Sequence, residues 1–325
     1  MGRVVVARLA SAVPLFLGTT LLSFLLIYWA PGSFLEQFLS DPTIPRSFFE
    51  SLTERFGLDR PWYLQYGSWL LGVARGDLGF SFRFLRPVDD LLAEALPRTL
   101  VLAALAFLFC CCAGAALGLL AVRRLGSVWD RALCRAALVL ASIHPVILAI
   151  LGLIIAAVSR WLPLGGGSSL GASELSFWGR GADYLWHLVL PETILILVML
   201  PGFFLHARGV MAELLPSPFV AAGRARGLSE RALVLRHVLP VATSPLVSYA
   251  SSTLSRLLNA AFLVEVVTGW PGMGRLALDA LASHDPFLLL GTLVVAAAVL
   301  LVGNLLSDLL LAEADPRVRL EGASP

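Results

Sequence analysis

The chain has 325 residues, 58% of them hydrophobic and 14% charged. That charged share is about half of what a soluble domain carries, and with a mean hydropathy of +0.83 it points to a chain embedded in lipid. A net charge of +2 gives no basis for a nucleic-acid surface. All 24 basic residues are Arg, so the chain holds no Walker A lysine and no Schiff-base lysine.

A helix needs about 20 mostly apolar residues to cross a bilayer, and six stretches qualify. The first, about residues 9–30, ends at Pro31-Gly32. It exceeds the apolar core of a signal peptide, about 7–15 residues, and no small-residue cleavage site follows, so it reads as a retained helix. An extracytoplasmic segment, 31–98, comes next. Its Gly, Pro and aromatic content, as in Gly57-Leu58-Asp59-Arg60-Pro61-Trp62, suits turns and short helices at the interface. The second span, about 99–122, stops at Arg123-Arg124; Cys110, Cys111 and Cys112 lie inside it and Cys134 stands apart, with no C-x-x-C spacing, so they read as small apolar filler. The third, about 133–158, carries His144-Pro145, which marks either a kink or a hydrogen bond to a neighbouring helix. A loop over 159–187 contains Gly165-Gly166-Gly167-Ser168-Ser169, a flexible or tightly turning stretch. Spans four, five and six cover about 188–206, 241–264 and 287–311.

Arginine placement sets the orientation. Arg3 and Arg8, then Arg123, Arg124, Arg131 and Arg135, then Arg208, Arg224, Arg226, Arg231 and Arg236, and finally Arg317 and Arg319 fall on alternate connections. Both termini are therefore expected in the cytoplasm.

The cytoplasmic loop 216–240 is the most informative stretch. Ser217 is a candidate N-cap, with Pro218 at the first helical position. Gly227 suits the left-handed residue that ends a helix. Ser229 can cap a second short helix, which Pro240 is expected to close. Ala221, Ala222, Gly223 and Ala225 give the first helix a narrow surface able to enter a groove on another protein, where Arg224 and Arg226 can meet carboxylates. The plainer alternative is an amphipathic loop packed on its own bundle.

Arg256 lies within span five, where a charge is costly and usually faces a cavity or a protein interior. It reads as a pathway residue or as half of an ion pair with a partner subunit. Asn259, three residues on, shares its face, and either lines the same cavity or bridges helices. Asp308 is expected to snorkel or cap near the cytoplasmic end of span six. Beyond span five, Glu265, Trp270, Pro271, Gly272 and Gly274 suggest an outer gate, a docking surface or a packed lid, with Trp270 as an interfacial anchor. The five His residues show no zincin spacing and G-x-S-x-G is absent, so neither a metal site nor a catalytic constellation is expected.

Taken together, these residues resemble a known family. Gly227, with Leu239-Pro240 following at the family spacing, resembles the EAA signature of ABC importer permeases. Phe219 to His237 is similar to its dipeptide/oligopeptide version. The resemblance extends through Gly76-Asp77-Leu78-Gly79, Leu188-Val189-Leu190-Pro191, Trp270-Pro271-Gly272-Met273-Gly274 and His284-Asp285-Pro286 to Asp315-Pro316-Arg317. It departs at Ala221-Ala222-Gly223, which replaces Glu-Ala-Ala, at Arg226, where Lys is common, and at Asn259-Ala260, Thr268 and Leu311.

The resemblance implies an all-α polytopic membrane protein of six transmembrane helices. Its layout is an N-terminal segment with the first helix (1–30), the external segment (31–98), a permease domain (99–319) with its coupling loop (216–240), and a tail (320–325). It implies that Ala221, Ala222, Gly223, Arg224, Arg226, Gly227 and Leu228 couple to separate ATPase subunits. It further implies a second homologous permease, an extracytoplasmic solute-binding protein and a place in the bacterial cytoplasmic membrane. The chain itself is then no enzyme and needs no cofactor; ATP and Mg act in the partner ATPases. The implied cargo is dipeptides or oligopeptides, with nickel chelates, glutathione or peptide antibiotics as alternatives. An ion-driven secondary transporter is the reading from another class. It calls for mid-membrane carboxylates and inverted repeats, and the sequence reading finds neither.

Overall fold

The computed structural model describes residues 2–29, 57 and 59–314. Pro31-Gly32, Leu58 and Asp315 to Arg319 lie outside the described residues, as do the side chains of Asp308 and Leu311. The helices are α1 (Gly2–Trp29), α2 (Trp62–Ala74), α3 (Val88–Val122), α4 (Val128–Ala141), α5 (Pro145–Ser159), α6 (Phe177–Leu214), α7 (Pro218–Ala225), α8 (Glu230–Leu233), α9 (Leu239–Thr268), α10 (Met273–Ala282) and α11 (Pro286–Ala314). A hairpin of β1 (Phe80–Ser81) and β2 (Arg86–Pro87) precedes α3. The chain divides into two compact units, Met1–Arg98 with Pro271–Leu301, and Thr99–Trp270 with Val302–Pro325.

In the first unit α1 packs on α2. The hydroxyls of Thr20 and Tyr66 share a hydrogen bond of 3.0 Å, and the Phe24 and Tyr66 rings lie 5.6 Å apart. The hairpin is held by one buried carboxylate. Asp285 Oδ2 accepts from Ser81 Oγ at 2.7 Å and from the Arg83 N–H at 3.1 Å, while Oδ1 accepts from the Leu288 N–H and so caps α11. Burial pushes the Asp285 carboxyl up against the pull of these donors. Asp285→Ala would take the acceptor from the Ser81 hydroxyl proton and from the Arg83 and Leu288 N–H groups, at about 1–3 kcal/mol for each group left unsatisfied. The expected result is faster limited proteolysis at residues 82–86, and an unchanged cleavage pattern would refute the pin.

In the second unit α4, α5 and α9 pack against α6. α3 reaches α6 through Gly114 and Gly118, where any Cβ would collide with backbone atoms of Phe203, Phe204, Ala207 and Arg208. The loop after α5 is tied at two points. The Ser169 N–H and hydroxyl both donate to Asp183, at 2.8 and 2.6 Å, and Gly165 lies so close to the Thr268 carbonyl that a side chain would not fit.

Several expectations change. The third span is not one helix: α4 and α5 meet at 99°. Pro145 has no N–H to offer the preceding turn, and its ring excludes that turn's carbonyl. His144 is extended, and its Nδ1 accepts from the Val146 N–H, which starts a new helix. α3 begins at Val88, well before residue 99, because Val88, Leu91, Leu92 and Ala95 form a buried face that a search for continuous apolar runs passes over. Among the described residues three helices (Val88–Val122, Phe177–Leu214 and Pro286–Asn304) are long and apolar enough to cross a membrane, or four with the bent pair. The count of six is thus not confirmed by this measure. Among the described residues the apolar stretch of α1 is Phe16–Leu26, and α9 is long but carries serines, Arg256 and Asn259.

Candidate functional site

The loop 216–240 forms two short helices around Gly227, whose φ of +78° is the left-handed conformation expected of it. Ser229 caps α8 by accepting from the Ala232 N–H. Ser217 occupies the N-cap position of α7, but its hydroxyl donates back to the Leu214 carbonyl rather than capping. Pro240 does not close the second helix. Val234–Val238 is a π-helical turn, with the Leu239 N–H bonded to the Val234 carbonyl, and α9 follows without a break. Widening that turn relieves the clash between the proline ring and the carbonyl four residues back.

The loop has a buried side and an open side. Val220, Leu233 and Val238 are each fully buried. Val220 and Val238 join Val122, Ala207, Met211 and Ala242 in one cluster, so the loop is packed onto the adjoining ends of α3, α6 and α9. Gly223 faces Leu233 with no room for a Cβ, which fixes the approach of α7 to α8. Ala221, Ala222, Arg224, Arg226 and Gly227 remain exposed, Leu228 is half-buried, and Phe219 adds an exposed ring. Arg224 has a partner within the loop: it holds Glu230 through Nε–Oε1 at 2.6 Å and Nη2–Oε2 at 3.1 Å. The guanidinium keeps the Glu230 carboxyl below the usual glutamate range, so the pair persists at neutral pH and is lost only as pH falls through that lowered value. Arg226 makes no ion pair among the described residues.

A second brace lies beside the loop. Arg208 donates to Asp130 through Nε–Oδ1 at 2.6 Å and Nη2–Oδ2 at 2.7 Å, and the Gly126 N–H adds a third bond to the carboxylate. Sequence reasoning counted Arg208 only as a cytoplasmic charge. Nothing in the sequence pairs residues 78 positions apart, although Gly114-x-x-x-Gly118 was a readable signal for the nearby close packing of helices.

In α9 Arg256 and Asn259 are both exposed on one face. Glu265 and Trp270 are buried, and so are Gly272 and Gly274 in the first unit. Trp270 is therefore a packing residue rather than an interfacial anchor: it is 1% exposed and its ring lies 5.2 Å from Tyr184. Pro271 accepts a hydrogen bond from Arg98. The sequence reading also passed over Glu192, whose Oε2 is buried within α6 with no hydrogen-bond partner among the described residues.

Residues 114–320 match the family model described as "Binding-protein-dependent transport system inner membrane component". Over 320 residues the chain is 28% identical to the oligopeptide transport system permease protein AppB of Bacillus subtilis, covering 98% of this chain and 99% of that one. It is 31% identical to the oligopeptide transport system permease protein OppB of Haemophilus influenzae, covering 96% and 97%. Among solved structures, an inward-facing form of the MetNI methionine ABC transporter matches with a TM-score of 0.54 at 20% identity, covering 70% of this chain and 97% of that chain.

Proposed function

Since the chain belongs to the family of binding-protein-dependent transport system inner membrane components, we propose that it is the permease subunit through which an ATP-driven importer moves dipeptides or oligopeptides across the bacterial cytoplasmic membrane. The peptide assignment is supported by the full-length likeness to AppB and OppB. Other cargo, such as nickel chelates, glutathione or peptide antibiotics, would be told apart by ligand binding to the cognate solute-binding protein. Family membership sets the ion-driven reading aside.

The observation that carries the coupling role is the two-sided loop. Its exposed strip, Ala221, Ala222, Arg224, Arg226 and Gly227 with Leu228 at the edge, would seat in a cleft of a separate ATPase. Its buried side, Val220 and Val238, touches three long helices. A push on the strip would therefore move those helices as a body. Two ATPases carrying ATP and Mg, a second homologous permease and an extracytoplasmic binding protein would complete the assembly, with both termini of this chain in the cytoplasm. Arg256 and Asn259 would line the pathway. Glu265, Trp270, Pro271, Gly272 and Gly274 fit an outer closure better than a docking surface, because most of them are buried within the chain.

Co-purification with a tagged chain, followed by ATPase assay with and without the binding protein, tests this reading. Gly227→Ala places a Cβ in the left-handed region at about 1–2 kcal/mol. It is expected to lower binding-protein-stimulated turnover several-fold while ATPases and second permease still co-elute. A chain that elutes alone, and whose uptake survives ATP depletion but not collapse of ion gradients, would overturn the proposal.

A further inference from the structure

Ser252, Arg256, Asn259 and Leu263 are all exposed, and their spacing of four, three and four residues aligns them down one face of α9. Arg at a mid-membrane helical position costs about 2.5–3.5 kcal/mol on insertion scales. A row with Ser, Arg and Asn at its centre is therefore turned toward water or protein, not toward lipid tails.

Arg256 is held in place on this face. Its Nη2 donates to Thr253 Oγ1 at 2.9 Å, and its Cζ lies 5.6 Å from the centre of the Tyr249 ring. Tyr249 is itself clamped. Its ring stacks on His206 of α6 at 4.2 Å and 14°, and Phe203 meets it edge-on at 5.3 Å. Its hydroxyl sits against Gly202, where a Cβ would not fit. The His206 Nε2 lies 3.3 Å from the Pro245 carbonyl, which ties the ring back to α9. The result, among the described residues, is an exposed guanidinium with one N–H engaged.

A planar fork of N–H donors matches a carboxylate with two parallel bonds. Its neighbours in the row, Ser252 and Asn259, carry no charge that would compete. Asn259 offers both a donor and an acceptor to an amide. We propose that Arg256, positioned by Tyr249 and Thr253, is a binding site for the carboxylate of a solute in transit, with Asn259 contacting an adjacent peptide group. This rests on the permease reading above.

The test uses the assembled transporter in detergent, without its binding protein, and detects weak binding by saturation-transfer NMR. Trialanine and trialanine amide are the probes. Wild type is expected to show a signal for trialanine at least ten-fold stronger than for the amide. R256Q should bring the free acid down to the amide level, and R256K, which keeps the charge but loses the fork, should fall between. Equal trialanine signals in wild type and R256Q, or none in wild type, would overturn the site. So would an R256Q complex that dissociates or melts early, because that would make Arg256 half of an ion pair with a neighbouring subunit. The permease reading fails separately, if wild-type proteoliposomes with binding protein take up peptide without ATP.

Discussion

Gly118→Leu is expected to prevent assembly of a stable bundle. A Cβ at this position would lie 2.8 Å from the Ala207 Cβ, 2.9 Å from the Arg208 nitrogen and 3.1 Å from the Ala207 carbonyl carbon. Two of these are backbone atoms of α6 and cannot swing aside. One turn earlier, a Cβ on Gly114 would lie 2.6 Å from the Phe203 Cβ and 3.0 Å from its carbonyl carbon. The two glycines thus form the groove of α3 that receives α6. Lipid tails are as apolar as the side chains, so helices in a bilayer associate through close packing rather than through expulsion of water. Adding one methylene to such a contact costs about 1–3 kcal/mol, so Gly118→Ala should lower the melting temperature and the leucine should leave little folded protein. Gly209→Ala is the control. It lies in α6, nothing stands within 4 Å of its added Cβ, and it should be neutral or stabilise by up to about 1 kcal/mol through helix propensity. Thermal melts of the purified complexes by size-exclusion recovery check the series. A Gly118→Leu protein that melts with wild type would show that α3 and α6 do not pack through this groove.

Arg208→Met is expected to cost about 1.5–3 kcal/mol, the range for hydrogen bonds to a charged group, because the pair is part-buried. The residue left behind is Asp130, whose side chain is only 1% exposed, whereas that of Arg208 is 27% exposed. Removing the arginine therefore strands the more deeply buried charge and is the harsher of the two single changes. Asp130→Asn should cost less, because the amide oxygen still accepts from the Gly126 N–H. The double variant should recover part of the loss, with a coupling of about 1–3 kcal/mol in the cycle. Additive effects would mean that the pair contributes nothing as a pair. The brace also ties α4 to α6 just before the chain enters loop 216–240, so, on the proposed coupling role of that loop, the single variants should lower binding-protein-stimulated ATPase activity along with stability.

Much of this was readable in the residues. Runs of apolar side chains about as long as a bilayer is thick mark the long helices, because backbone polar groups in lipid must be satisfied within one segment. Gly227, Ser229 and Pro218 mark the two-helix loop 216–240, since each has a local conformational preference that needs no distant partner. The Pro145 break shows where local rules stop short. The residue announces a kink, but the 99° turn depends on what α4 and α5 pack against. Pro240 misled for the same reason. A helix-ending residue was absorbed by the π turn that precedes it, whose first and last residues, Val234 and Val238, are buried and hold the chain helical.

By itself the sequence determined the membrane class, the place of the two-helix loop 216–240 and the glycine on which it turns, because hydropathy and backbone preference are properties of short segments. Only the tertiary structure decided that Arg208 belongs to Asp130, that Arg224 is taken by Glu230, that Trp270 is buried and that Arg256 leans on a ring clamped by His206. Those outcomes depend on which side chains come within about 4 Å of each other, and residues far apart in the chain, such as 130 and 208, meet only after the helices have packed.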